Sequence, residues 1–439
     1  MRTIWVGIDD TDSPRGGCTT WVLTELLALA RDEGVDLIGD PHLVRLNPNI
    51  PWKTRGNAAL AARFGRGSGP RRKVGEAGGR PLWGFARGAP LLPSDERTFL
   101  ERAWERVLAR SQRGEPRTDP ALVAVRRRLP AAVYYRAVRE VVPVEEARRF
   151  LDSVGAFVRA EGDGRGVVGA SAAVAWPGRR ATWELIAYRP VEREGARRWV
   201  EAESVRATAR RHVGLFLCHD PSTRRLLVTP HTACPNLFGL RGTDRASPLL
   251  ARTDVVSEPV DRWVLFRTNQ ATGDHLVRRT ARQMSAFGSA RISARVAARP
   301  VVVRGGHVRL RLIDRERTPF EAVAFEPTKT LPRVAQLLRE GDRVIVWGSR
   351  DDGPALKLEG LRVVSLAARW APRGAPTCPT CRRTTRSLGL VRGFRCPECR
   401  RRFPPESAVR IRGVPTVALG VYHPTPSARR HLAPLGPEP

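Results

Sequence analysis

The sequence predicts an α+β multidomain chain, and three observations carry that prediction. Strand-like and helix-like stretches alternate through the first half, short strands surround one helix between Val301 and Val364, and a Cys-x-x-Cys pair recurs near the C-terminus. At 439 residues the chain exceeds one ordinary core, so two to four domains are expected, and a hydrophobic share of 41% suffices to pack them.

The first unit is α/β. Thr3–Ile8 is a strand, Asp9 to Gly17 a polar loop, and Thr19-Thr20 open a helix with Trp21, Leu23, Leu26, Leu27 and Ala30 at apolar positions. Leu43–Leu46 reads as a second strand, Asn47–Gly56 as a loop and Asn57–Phe64 as a helix. Gly65 to Arg80, rich in Gly and Arg, reads as a mobile solvated loop, and Ser94-Asp95-Glu96 as the cap of a helix carrying Phe99, Leu100, Trp104, Val107 and Leu108. From Ala131 the alternation resumes: Val133–Val138 is expected as a strand, Val144–Leu151 as a helix, Val167–Val174 as a small-residue apolar element, Thr182–Tyr188 as a strand and Glu192–Arg211 as a charged helix. That order is compatible with a small ferredoxin-like sandwich. Strands at Val301–Val303, His307–Ile313, Arg343–Trp347 and Leu356–Val364, around a helix at Leu331–Arg339 with turns at Gly305-Gly306 and Gly341-Asp342, suggest an OB-fold β-barrel.

Cys378-x-x-Cys381, fourteen residues, then Cys396-x-x-Cys399 is the most specific motif. Each pair can present two thiolates from one tight knuckle, and the four sulfurs close a tetrahedral Zn2+ site at about 2.3 Å per bond. Such a site has no open position, so it reads as a structural zinc ribbon. Eight arginines around it (Arg382, Arg383, Arg386, Arg392, Arg395, Arg400, Arg401 and Arg402) point to a nucleic-acid contact.

Charge supports that partner. The formal net charge is +32, almost all of it from arginine, since lysine occurs only at positions 53, 73, 329 and 357. A GC-rich coding bias accounts for part of the preference for arginine over lysine but not for the shortage of acids. No stretch approaches the ~20 apolar residues that span a bilayer, and the N-terminus runs straight into a strand. With most cysteines in metal-type spacing, the chain is expected to be cytoplasmic, with no membrane partner and no obligate protein partner inferred.

Asp9-Asp10-Thr11-Asp12-Ser13, followed by Gly16-Gly17-Cys18-Thr19-Thr20, stands between a strand and a helix. Three carboxylates there can hold Mg2+, the glycines let a phosphate approach the backbone, and the helix start offers free N–H groups. A threonine hydroxyl there could ligate the metal or accept a phosphate. The plainer alternative is a polar turn capped by Asp10 or Thr19, and the G-K-[ST] ending of a Walker A loop is missing. Asn47, Asn49, Lys53, Arg55, Gly56 and Asn57 form a second polar loop before an expected helix, suited to phosphates or serving only as surface. Cys18, Cys218 and Cys234 read as packing residues, and His231 beside Cys234 as part of a structured loop.

Several segments, in this order, resemble the archaeal isoleucine-tRNA 2-agmatinylcytidine synthetase family: IDDTDSPRGGCTT, RLNPNIPWKTRGNAA, GVVGASAA, TWELIAYR, PHTACPNLFGLRG, FRTNQATGDHL and AFEPTK. The resemblance implies five parts: a kinase-like domain at 1–130, a ferredoxin-like domain with the agmatine site at 131–255, an OB-fold at 256–372, a zinc ribbon at 373–405 and a tail at 406–439. It implies coupling of agmatine to C2 of the wobble cytidine in the isoleucine tRNA with a CAU anticodon, so that AUA is read. ATP phosphorylates the C2 oxygen, the agmatine amine attacks and phosphate leaves, with ATP consumed to AMP and two phosphates. It assigns catalysis and Mg2+ to Asp9, Asp10 and Asp12, and autophosphorylation to Thr19, with Thr20 as fallback. Gly16, Gly17, Thr20, Asn47, Asn49, Lys53, Arg55 and Asn57 are the expected ATP and phosphate contacts. Agmatine's guanidinium calls for carboxylates or aromatic faces, and Trp183, Glu184 and Tyr188 are the candidates. The OB-fold and ribbon are expected to grip the acceptor stem while the kinase-like domain takes the anticodon loop. Two other readings fit the residues alone: an ATP-dependent phosphotransferase on another RNA or small molecule, and a non-catalytic nucleic-acid-binding protein.

Overall fold

The computed structural model describes residues 3–368, 370–389, 391–412 and 417–436. Leu390 of the expected ribbon and residues 413–416 and 437–439 of the expected tail lie outside that set.

One eleven-stranded sheet runs through the first 268 residues. Ile4–Asp9 is an interior strand, antiparallel to Ala58–Ala77 on one side and Ala121–Val125 on the other. The sheet continues through His42–Arg45 and Arg262–Thr268 to Thr182–Tyr188 and Asn236–Gly242. The helices Thr19–Asp32 and Pro93–Arg110 bury their apolar faces on one side of it, and Ala131–Arg139, Val144–Ser153 and Gly166–Ala175 on the other. Gly166–Ala175 is built of small and apolar residues and lies close against the first strand. A Cβ on Gly7 would run into the Ala170 carbonyl.

Several expectations are corrected. Asn57–Phe64 is not a helix, and Gly65 to Arg80 is not a loop: both fall within one long strand, Ala58–Ala77, and its hairpin with Arg80–Ala89. The run Ala-Ala-Leu-Ala-Ala has the local preference of a helix, but pairing on both sides, to Ile4–Asp9 and His42–Arg45, outweighs it. The glycines serve the hairpin. Gly78 and Gly79 both have positive φ (59° and 68°), as a two-residue hairpin turn demands, and Gly67 lies against the Phe85 ring, where a Cβ would not fit. Val133–Val138 lies in the helix Ala131–Arg139, because Tyr134, Ala137 and Val138 fall on one buried face at helical spacing despite their strand-favouring side chains. The charged helix is confined to Ala202–Arg211, since Gly195 adopts φ of 85° and breaks the run before it. The helix after Leu92 is entered through Pro93, with Ser94 inside its first turn rather than capping it.

The second sheet closes on itself. Ser289–Val296 pairs with both His307–Asp314 and Arg343–Ser349, the latter with Leu356–Ser365, and Pro319–Ala324 completes a five-stranded barrel by pairing with His307–Asp314 and Leu356–Ser365. A helix, Thr330–Ala335, stands between its third and fourth strands, shorter than the sequence suggested. The expected barrel is therefore present.

The C-terminal segment turns back. Gly420–Tyr422 adds to the barrel, and the chain then crosses to the large sheet, where the Ala271 and Gly273 amides donate to the His431 and Leu432 carbonyls (2.8 and 2.9 Å). Between the two units His275 Nε2 lies 2.9 Å from Glu359, whose other oxygen is 3.4 Å from Arg430. Burial opposes ionisation of Glu359, but Arg430 and His275 outweigh it and hold the carboxyl down at about 2. A depressed carboxyl stabilises the fold above its unfolded value of 4.5 and loses that contribution as pH falls toward 2. In denaturant titrations the wild type is expected to exceed Glu359→Gln by about 3 kcal/mol at pH 7, and the gap should close between pH 4.5 and pH 2.

Candidate active site

The first strand delivers its last residue, Asp9, beneath the helix Gly166–Ala175. A side chain at Gly169 would overlap the Asp9 carboxylate, so only glycine leaves it room. Asp10 follows in the left-handed region at φ 58°, a conformation Asp tolerates better than most residues. Ser13 and Gly16 then pair across a tight turn, and Gly17 at φ 72° leads into the helix beginning at Thr19. Cys18 occupies the cap position of that helix without a side-chain cap bond, and no acid stands in its first turn. Neither Asp10 nor Thr19 acts as the cap, and the helix start stays suited to an anion.

Asp9, Asp10, Asp12, Thr19 and Thr20 all line one cavity of about 740 Å³. Burial first, then Asp10 and Asp12, raises Asp9 well above an ordinary carboxyl. Burial likewise lifts Asp10 to about 7, with Asp119 and Asp12 adding to the effect against a backbone hydrogen bond and Arg165. Arg55 Nη2 pairs with Asp12 at 2.6 Å, and the Thr54 hydroxyl donates to it at 3.1 Å. Among the described residues the three carboxylates do not converge to within 4.8 Å of one another, so the loop by itself is not a closed metal cage. It is a half-buried, like-charged pair with no ion-pair partner among the described residues, Arg165 acting on Asp10 only at longer range, and such a donor set suits a hard divalent cation completed by phosphate oxygens. The Thr11 hydroxyl donates to Thr19 Oγ1 (3.1 Å), and Cys18 Sγ lies 3.0 Å from Thr20 Oγ1.

The second loop divides. Lys53, Arg55 and Asn57 line the cavity, whereas Asn47 and Asn49 do not. Asn47 Nδ2 donates to the Phe287 carbonyl at 2.9 Å, and Asn49 Nδ2 donates to Ser289 Oγ at 3.0 Å, fastening the loop to the barrel's first strand. The Gly17 amide donates to Glu194 at 2.7 Å, and Arg55 holds the Gly16 and Gly17 carbonyls, so an incoming phosphate meets an occupied amide. Of the three agmatine candidates only Glu184 reaches the cavity. Strand alternation turns Trp183 to the core on the other face, and Tyr188 is fully buried. Both Glu184 oxygens are taken, by Arg45 at 3.1 Å and Arg241 at 3.2 Å.

Sequence reasoning missed Asp119, Arg165, Gly169 and the tail residues Ser427 to His431. Gly169 lies in the small-residue motif GVVGASAA, but its contact with Asp9 exists only in three dimensions. Asn269 was equally hidden: it pins Arg45 from both sides, accepting from its amide (2.7 Å) and donating to its carbonyl (2.8 Å). Composition alone marked the tail.

The four cysteines stand together, with all sulfurs within 4.8 Å and Cys378 and Cys399 at 3.7 Å. Four sulfurs at ~2.3 Å from one Zn2+ stand ~3.8 Å apart, so the group fits. The knuckles are alike: Arg382 and Arg400 amides return to the Cys378 and Cys396 carbonyls at 2.9 and 3.1 Å, each arginine at positive φ. Metal analysis is expected to give one zinc per chain, and Cys396→Ser should abolish it.

Asp10 gives a test of the carboxylate pair. Its pKa is raised on folding, from 3.8 to about 7, so the folded state holds the extra proton and loses stability as pH climbs through that window. In chemical denaturation Asp10→Asn is expected to stabilise the ligand-free protein at pH 8, by about 2–4 kcal/mol, with the advantage vanishing near pH 4.

Comparison with known proteins supplies the family. Residues 5–162 match the TiaS TCKD domain, 164–275 the TiaS FLD domain and 375–412 the TiaS C-terminal zinc ribbon domain. The isoleucine-2 tRNA 2-agmatinylcytidine synthetase TiaS of Archaeoglobus fulgidus is 33% identical, covering 98% of this chain and 96% of the relative. That of Methanopyrus kandleri is 35% identical, covering 98% and 95%. The crystal structure of a complex of TiaS with isoleucine-2 tRNA and ATP superposes with a TM-score of 0.83 at 31% identity, covering 99% of this chain and 96% of that one. A complex of TiaS with the same tRNA, AMPCPP and agmatine gives 0.80 at 29% identity, covering 99% and 96%. With relatives above 30% identity over nearly its whole length, this chain belongs to the isoleucine-tRNA 2-agmatinylcytidine synthetase (TiaS) family.

Proposed function

We propose that this chain couples agmatine to C2 of the wobble cytidine of the isoleucine-2 tRNA, at the expense of ATP, in the cavity beneath Gly166–Ala175. The observation that carries the reading is the placement of Asp9, Asp10, Asp12, Thr19 and Thr20 on one cavity wall, with Asp9 and Asp10 half-buried and without an ion-pair partner among the described residues. A pyrimidine C2 oxygen is a hopeless leaving group until it is phosphorylated. Transfer of a phosphoryl group from ATP to that oxygen makes it one. The agmatine amine then adds at C2, loses a proton, and inorganic phosphate departs with the oxygen. Thr19 is the residue assigned to autophosphorylation, with Thr20 as fallback; both hydroxyls stand at an uncapped helix start.

Asp9 and Asp10 would hold Mg2+, which when bound supplies charge neutralisation to the phosphates. Arg55 fixes Asp12 and the glycine loop; Lys53 and Asn57 face the phosphate space, while Asn47 and Asn49 hold the loop to the barrel. Glu184 meets the guanidinium of agmatine once Arg45 or Arg241 gives way. In this reading the N-terminal unit acts as the kinase-like domain, the unit after it as the ferredoxin-like domain, and the barrel and basic ribbon hold the distant stem. Binding there positions one flipped base.

Incubation with γ-labelled ATP, labelled agmatine and a panel of tRNAs tests this. Agmatine is expected to enter only the CAU-anticodon isoleucine tRNA, and Asp10→Ala should abolish incorporation. Phosphate transfer without agmatine incorporation would instead mark a phosphotransferase, and neither product a nucleic-acid-binding protein.

A further inference from the structure

We propose that Arg429, on the C-terminal segment, is a phosphate-binding residue of the active cavity, which makes that segment part of the site rather than an appendage. The inference rests on the functional reading above for the identity of its ligands, not for the existence of the cation site.

The segment is fastened on both sides of Arg429. Upstream, the Ser427 amide and hydroxyl both donate to Asp220, in the short strand His219–Asp220. Downstream, Arg430 donates to Asn49 and pairs with Glu359, while the His431 and Leu432 carbonyls accept from Ala271 and Gly273. Leu432 is buried in the core of the large sheet. Ser427 and Arg430 are thus committed, and the backbone at Arg429 is held between fixed points.

Arg429 itself is not committed. It lines the cavity, is half-buried, and has no carboxylate within ion-pair reach among the described residues. The one hydrogen bond of its side chain among them is a long one, from Nε to the Pro424 carbonyl at 3.5 Å. Other arginines of the same wall have a carboxylate partner: Arg45 and Arg241 share Glu184, Arg55 has Asp12, and Arg165 has Asp119. Lys53, across the loop, and Arg225, which is exposed and bonded to His231, are further cavity cations without a carboxylate among the described residues, and Arg430 stands close enough to Lys53 to depress its ammonium, after burial. A half-buried guanidinium on a fixed backbone, facing a cavity and lacking a counter-ion, has the features of a preorganised oxyanion contact. Its burial lowers the pKa without removing the charge.

Two phosphates are available, those of ATP and those of the tRNA backbone beside the flipped base, and separate binding measurements distinguish them. Arg429→Ala, Arg429→Glu and Arg429→Lys would be compared with wild type for ATP affinity without RNA, for tRNA affinity across a salt series, for agmatine incorporation and for thermal midpoint. If the contact is to ATP, Arg429→Ala should weaken ATP binding about ten- to a hundredfold, Arg429→Glu further, and Arg429→Lys partly restore it, at unchanged midpoint. If it is to RNA, ATP affinity should hold while tRNA affinity falls and its salt slope drops by about 0.7–0.9, one phosphate's share. Unchanged affinity for both would overturn the proposal. So would losses that follow a lowered midpoint equally in Arg429→Lys, since that pattern marks a packing role. Wild-type protein that binds ATP through Arg429 yet never incorporates agmatine would sink the functional reading and leave this inference standing.

Discussion

Asp9 and Asp10 are forced to share a confined space with no cation of the protein's own between them. The first strand is locked in the sheet by partners on both edges, so Asp9 cannot move back, and the helix above it admits no side chain at position 169. Asp10 is committed to a left-handed backbone that points the chain into the glycine turn. The pair is half-buried on the cavity wall, and a cation favours their joint ionisation. Loop, helix start and cavity wall are arranged around that requirement. The fold keeps Asp12 paired with Arg55 and Asp119 with Arg165, leaving the charge deficit concentrated at two residues. Such a site is costly in the apo state, and a neutral amide at position 10 relieves it at the expense of the chemistry.

The same constraint explains why the cavity needs more than one unit to close. A sheet supplies the carboxylates, but its concave edge is open, and the opposite wall comes from residues far along the chain. Asn47 and Asn49 carry the second loop to the start of the barrel, and the returning tail ties the barrel to the sheet through His275, Glu359 and Arg430. The ion pairs at this seam are buried, so their geometry is specified more tightly than surface pairs would be. A long RNA gripped at one end can then present a base at the other without the walls of the cavity shifting.

Local chemistry made part of this legible in advance. The cysteine spacing, the aspartate cluster after the opening strand, and the barrel strands around Gly305-Gly306 and Gly341 each follow from short-range rules, and the structure realises them. The misread elements share a cause. Ala58–Ala77 has helical composition and glycines that look like a loop, yet it is an interior strand, because its pairing partners include strands far along the chain in both directions. Val133–Val138 has strand-favouring residues at helical spacing, and spacing prevailed. In the site, residue type alone could not separate Glu184 from Trp183 and Tyr188. Trp183 falls on the opposite face of Thr182–Tyr188, while Tyr188 shares the face of Glu184 but is buried in the core, and both depend on the assembled sheet. Asn47 and Asn49 looked as suited to phosphate as Lys53, until the barrel took up their amides.

A net charge of +32 describes the outside of this molecule better than its cavity. The reaction brings together a polyanionic nucleotide, a polyanionic RNA and a dicationic amine, and a uniformly basic pocket would repel the third while trapping the first two. The lining eases the conflict by internal pairing, with Arg45 and Arg241 sharing Glu184, Arg55 on Asp12, and Arg165 on Asp119. What remains without an ion-pair partner among the described residues is small: Asp9 and Asp10 beneath the helix, and Lys53, Arg225 and Arg429 on the loops and tail. Charge of one sign stands ready for a divalent ion and charge of the other for phosphate, while the paired arginines between them can exchange partners when a guanidinium ligand enters. Selectivity for three substrates of opposed charge then comes from which ions are left unpaired, not from the sum.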